Sequence, residues 1–120
     1  MKEKLNILNS EEVESLKEDY EVLTFPNDFD LVYENQIPST GVALIKGQIE
    51  LIKKSRPTQL IEDNCLMGIK QLLEEQPVRL GCRIKSNSQI VLLGKSEIFS
   101  LLKNKDSKLF NVLKSLKLEK

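Results

Sequence analysis

Residues 63–84, DNCLMGIKQLLEEQPVRLGCRI, constrain the chain more than any other stretch. The apolar run around Leu66 stops at Gly68, and a short helical pattern carries Leu72 and Leu73 until Pro77 breaks it. A β-type alternation then opens with Arg79. Strand, turn, helix and strand follow so closely that the helix can only be a small insertion in a β framework. The same stretch brings free backbone N–H groups at a helix start near a guanidinium, which is a setting for an anion. Gly68 and Arg79 are therefore the candidate anion-holding residues.

The rest of the pattern agrees with a β framework closed by helices. Asn9 or Ser10 can cap a helix over residues 10–20, with acids in its first turn and Val13, Leu16 and Tyr20 on one face. EVLTF and DLVY are short β-prone runs stopped by Pro26-Asn27-Asp28 and by residues 36–40. Residues 42–45 and 48–53 form two strands about Gly47, with a polar hairpin tip at 53–58 before the strand resumes at 59–61. Residues 89–93 are apolar on both faces, as in a buried strand. Ser96 then caps a helix over 97–104 with Ile98, Leu101 and Leu102 as its stripe. A last helix from Asp106 presents Leu109, Leu113 and Leu116, which suits either core closure or a homodimer seam.

About eight short strands with one inserted helix and helices at both ends describe a mainly β architecture. This is a jelly-roll or cupin-like barrel, a double-stranded β-helix with flanking N- and C-terminal helices. A single domain over residues 1–120 is expected, with a helix at 10–20, the β-roll at 21–94 and helices at 95–118.

Composition removes several function classes. The formal net charge is zero, so no global field favours nucleic acid or an anionic membrane. Residues 1–34 nevertheless hold 10 acidic and 3 basic side chains, and residues 103–120 hold 6 lysines and 2 acids. Either the basic end meets an acidic partner, or the two ends attract each other. Four-residue apolar runs at 42–45 and 90–93 are too short to span a membrane, and the charged start lacks a signal-peptide core, so a cytoplasmic protein is expected. The absence of histidine excludes imidazole catalysis and histidine metal sites. Cys65 and Cys82 stand in apolar stretches without metal or redox spacing, and either a bridge or two small hydrophobes would account for them. Gly94-Lys95-Ser96 lacks the first glycine of a phosphate loop, because Gln89 stands there. No enzyme, metal, nucleic-acid or membrane function is expected.

Four features in order resemble a cyclic-nucleotide-binding domain, the module of catabolite-activator-type regulators and of the cAMP-dependent kinase regulatory subunit. They are Gly47 in LIKGQIEL, Gly68 with its short helix, Arg79, and IVLLGKSEIFSLL as a last strand leading into a helix. The resemblance covers residues 10–116 and implies a β-roll whose phosphate cassette binds a cyclic nucleotide. In the family a Gly-Glu pair starts the small helix and an arginine follows downstream, then a small residue. The glutamate holds the ribose hydroxyl, while the arginine and nearby N–H groups hold the phosphate.

Gly68 and Arg79 match that pattern, whereas Ile69 replaces the glutamate and Leu80 replaces the small residue. Hydrogen bonds to a charged group contribute about 1.5–3 kcal/mol each, so the loss at Ile69 should weaken a ribose ligand about ten- to a hundred-fold or more. Leu80 would crowd the cavity if it points inward, and Ile69→Glu is expected to recover affinity. Alternation of Val78, Leu80, Cys82 and Ile84 with Arg79, Gly81 and Arg83 would turn Arg79 to solvent, unless the pattern starts only after it. An inward Arg79 needs a partner, for which Glu74 and Glu75 are the local candidates.

The expected function is a stand-alone regulatory module with weakened or lost nucleotide binding. It would act on another protein or on itself through the 106–116 helix, with no bound cofactor. The alternative is a receptor for cAMP, cGMP or another small anionic ligand at Gly68 and Arg79.

Overall fold

The computed structural model describes residues 6–115. Its elements, in chain order, are β1 (Asn6–Ile7), α1 (Ser10–Asp19), β2 (Leu23–Thr24), β3 (Phe29–Val32), β4 (Gly41–Lys46), β5 (Ile49–Lys53) and β6 (Arg56–Ile61). Then come β7 (Cys65–Met67), α2 (Ile69–Glu74), β8 (Gly81–Ile84), β9 (Gln89–Leu93), α3 (Lys95–Lys103) and α4 (Phe110–Lys114). The strands make two antiparallel sheets, β1-β7-β4-β9-β2 and β3-β8-β5-β6, which face each other as a β-roll. The expected mainly β architecture is the one observed. β1 is the strand that the sequence pattern did not reveal; two residues pairing with Leu66 and Cys65 are too few to show a period.

Three layers result, and the residue pattern explains which faces touch. Val42, Leu44, Cys65 and Ile90 of the five-stranded sheet meet Ile49, Leu51, Ile61, Cys82 and Ile84 of the four-stranded sheet in one core. On the other face of the five-stranded sheet, Ala43, Ile45, Leu66, Val91 and Leu93 meet Leu16, Ile98, Leu101, Leu109 and Leu113 of the helical layer. A sheet covered on both faces needs apolar residues at consecutive positions, which accounts for the unbroken runs in β4 and β9. The four-stranded sheet is covered on one face only, so β5 and β8 alternate, with Glu50 and Arg83 turned outward.

That outward face carries an ion-pair network. Asp30 Oδ1 lies 2.7 Å from Arg83 Nε, and Asp28 Oδ2 lies 2.8 Å from Lys85 Nζ. Glu50 reaches both cations at 3.7 and 3.6 Å. Hydrogen bonds from Lys85 and from the Ser86 N–H hold the Asp28 carboxyl below its ordinary range. Bonding to Asp30 raises Arg83, and bonding to Asp28 raises Lys85.

Gly47 turns between β4 and β5 with φ +109°, a conformation that side chains resist. A Cβ there would also come within 2.7 Å of Ser88 Cα. Ser88 is buried; its hydroxyl accepts from the Gln48 N–H at 2.9 Å and donates to the Gln48 carbonyl at 3.1 Å. The expected glycine turn is thus a three-way junction of β4, β5 and the turn before β9.

Several boundaries differ from the sequence expectation for local reasons. Asn9 rather than Ser10 caps α1, through a reciprocal pair: Glu12 N–H to Asn9 Oδ1 at 2.8 Å and Asn9 N–H to Glu12 Oε1 at 2.7 Å. α3 starts at Lys95, not after Ser96, because the Glu97 carboxylate takes the Gly94 N–H at 2.8 Å. The β5–β6 tip is only Lys54-Ser55, both at positive φ, and Lys53 already pairs with Arg56.

The last helix is shorter than expected. Asn104 and Ser107 side chains accept from the Asp106 and Leu109 N–H groups, both at 3.1 Å, and hold residues 104–109 in turns. Leu109 and Leu113 are 1% and 0% exposed in the chain's own core, so they close the fold and present no dimer seam. Leu116 lies outside the described residues. Attraction between the two ends is visible at one point, where Lys108 Nζ stands 3.5 Å from Glu11 Oε2.

Candidate functional site

β7 delivers the chain to Gly68, which adopts φ +78° and starts α2 without a side-chain cap. The Leu72 N–H donates to the Gly68 carbonyl at 3.0 Å, and α2 ends at Glu75, also left-handed at φ +54°. The chain then passes Pro77 and is fastened at Val78. Val78 N–H donates to the Gln36 carbonyl at 2.8 Å, and its own carbonyl accepts from the Asn35 N–H at 2.9 Å. This fastening occupies the segment before β8, so the strand begins at Gly81 and not at Arg79.

Gly68, Arg79 and Leu80 come together around one cavity between the sheets, at the end where β4 begins and β7 ends. Val42, Leu51, Met67 and Val78 contribute apolar walls, with Thr40 and Gln71 as polar ones. Its volume is about 50 Å³. One water occupies about 30 Å³ of liquid, and pockets for small organic ligands hold about 300–1,000 Å³. Leu80 packs against the core between the sheets and Val78 is 8% exposed, so these two side chains fill space that a ligand would need. Val78 was not singled out from sequence, although its alternation with Leu80 and Cys82 was the available signal.

Ile69 does not line this cavity. It is 2% exposed in the helical layer, on the far side of the five-stranded sheet, among Leu72, Leu93 and their neighbours. Gly41, on that same side of β4, leaves room for it; a Cβ at Gly41 would collide with Ile69 Cδ1. The position that matches the family's glutamate in sequence therefore belongs to the other core.

Arg79 is exposed at the cavity rim. The expected pairing with Glu75 is not observed. Glu75 instead meets Lys95 Nζ at 3.2 Å, because its left-handed backbone aims the side chain toward the start of α3. An exposed guanidinium keeps its hydration and requires no such pair.

Cys65 and Cys82 are free and buried, facing the same core from opposite sheets. Burial pushes the Cys65 thiol up to about 11 and the Cys82 thiol up to about 12. Both are protonated at neutral pH and are poor nucleophiles. No group of three or more acidic or cysteine side chains among the described residues is arranged to hold a metal, and no helix there is long and apolar enough to cross a membrane.

No protein-family model and no curated protein matches the sequence. Solved structures do match in shape. A protein from work on a cyclic-GMP-dependent signalling pathway in bacterial phytopathogenesis superposes with a TM-score of 0.73 at 14% identity, over 95% of this chain and 98% of that one. The Thermus thermophilus catabolite activator protein gives 0.68 at 16% identity, over 92% of this chain and 54% of that one. A cyclic-nucleotide-binding-like protein from Brucella abortus gives 0.60 at 17% identity, over 81% and 87%. The likeness in shape extends over most of the chain, which has the fold of a cyclic-nucleotide-binding domain.

Proposed function

We propose that this chain is a regulatory module that keeps the cyclic-nucleotide-binding scaffold but acts through protein contacts, not through a bound nucleotide. The observation that carries this reading is the cavity: about 50 Å³, walled by Val78, Leu80 and Met67, with Arg79 left at the rim. A nucleotide would have to displace packed apolar side chains, and no carboxylate at position 69 faces it to hold a ribose. A catabolite activator protein and a protein from a cyclic-GMP-dependent signalling pathway share the scaffold, which supports a regulatory role for this one.

A second reading has one observation in its favour. Gly68 and an exposed Arg79 border the same cavity, an arrangement that suits a small anionic ligand. Titration calorimetry with cAMP and cGMP separates the two. The first reading expects affinity weaker than about 1 mM, or about −4 kcal/mol. Micromolar binding that Arg79→Ala abolishes would overturn it in favour of the second.

A further inference from the structure

The helices cover the five-stranded sheet, and the outer face of the four-stranded sheet is bare. A groove of about 330 Å³ lies on it beside Gly81. Ile52, Gly81 and Arg83 of the sheet line it, together with Tyr33 from the β3–β4 loop and Lys54 from the β5–β6 tip. Both the loop and the tip are held in place. Tyr33 N–H donates to Gln36 Oε1 at 2.8 Å, and Lys54 N–H donates to Glu34 Oε1 at 2.6 Å, tying the hairpin tip to the β3–β4 loop. Asn35 and Gln36 of that loop are themselves fastened to Val78. A groove whose walls are already ordered loses little entropy when something enters it.

Two further observations say what would enter. Among the described residues Tyr33 and Ile37 are the most exposed of the large apolar side chains, at 60% and 55%, and both belong to the β3–β4 loop. Charge supplies the other observation. The acids of this face are engaged: Asp30 by Arg83, Glu34 by Lys53, Asp28 by Lys85, and Glu50 by Arg83 and Lys85. Of the charged residues that line the groove, Lys54 has no carboxylate within ion-pair distance among the described residues, so the charge left uncompensated there is positive.

Building on the reading of the chain as a protein-contact module, we propose that this groove docks an acidic segment of another protein. An apolar side chain of that segment sits between Tyr33 and Ile52, and a carboxylate beside it meets Lys54. Gly81 lacks a side chain because the Val32 carbonyl and the Glu34 N–H lie 3.2 Å from where a Cβ would stand, so the partner's contacts fall on Tyr33, a residue type that dominates such interfaces.

A displayed library of random peptides, selected on the folded protein, tests this. The selected peptides should carry Asp or Glu around an apolar residue, and the best of them should shift the amide resonances of Tyr33, Ile52, Lys54 and Gly81. Tyr33→Ala and Lys54→Glu should each weaken it about tenfold or more, with the urea midpoint unchanged. No enrichment, a basic or uncharged consensus, or shifts confined to another face would overturn the proposal. So would groove shifts that appear with protein concentration alone, since the occupant would then be a second copy. Nucleotide calorimetry stays an independent measurement. Micromolar cAMP binding would remove the underlying reading, whereas a failed selection without nucleotide binding removes only the groove.

Discussion

Ile69→Glu restores the family's residue in sequence, and the structure makes its outcome a sharp test of where that side chain lies. Ile69 is 2% exposed among apolar neighbours of the helical layer, with Gly41 opposite its Cδ1. Deleting a buried isoleucine's contacts costs about 2–5 kcal/mol, and burying a carboxyl without hydrogen-bond partners adds about 1–3 kcal/mol. The introduced carboxyl would stay protonated in the fold yet ionise in the unfolded chain above pH ~4.3, which adds about 1.4 kcal/mol for each further pH unit. Because its folded pKa is raised, the variant's deficit is smallest near pH 4 and grows toward pH 7. There the total reaches about 7 kcal/mol or more, comparable with the whole stability of a small domain.

Urea denaturation of wild type and variant at both pH values reads this directly. Ile69→Met, which conserves volume and polarity, should cost less than about 1.5 kcal/mol. An Ile69→Glu protein with an unchanged midpoint and micromolar affinity for cAMP would refute the placement of this residue outside the cavity. It would return the chain to the nucleotide receptors.

Other consequences are as direct. Gly47→Ala should destabilise by about 2–5 kcal/mol through its left-handed backbone and its collision with Ser88; Ser88→Gly should recover little, since Ser88 Cα is itself 2.7 Å away. Leu113→Ala should cost about 2–5 kcal/mol in urea while leaving the sedimentation coefficient unchanged, because Leu113 serves the chain's own core. A sedimentation change would reinstate the dimer seam. The two thiols ionise near 11 and 12 in the fold against an ordinary 9.0, so their contribution is intact below pH 9 and is lost as pH rises toward 12. Each pH unit in that window carries about 1.4 kcal/mol per thiol, and Cys65→Ala with Cys82→Ala should flatten the alkaline decline in urea midpoint. A decline as steep as that of wild type would show that the thiols are not its cause.

The layered β architecture was legible because it rests on local periods. Unbroken apolar runs in β4 and β9 announce a sheet covered on both faces, and alternation in β5 and β8 announces one covered on a single face. Glycine and proline at 47, 68 and 77 mark the turns. The match of Gly68 and Arg79 to a phosphate cassette was equally a matter of order along the chain.

What order along the chain could not decide is which of two apolar cores a side chain enters. Ile69 and Leu80 look alike in sequence, yet one packs under the helices and the other between the sheets, because Gly41 opens a place for the first on the far side of β4. Arg79 is turned out by two backbone hydrogen bonds to Val78 from a loop more than 40 residues earlier. The groove beside Gly81 needs β3, β5 and β8 side by side before it exists at all. Sequence alone determined the sheets, the turns and the outline of the fold; the small cavity, the partners of its charged residues and the exposed groove depend on contacts between distant segments, which only the folded chain brings together.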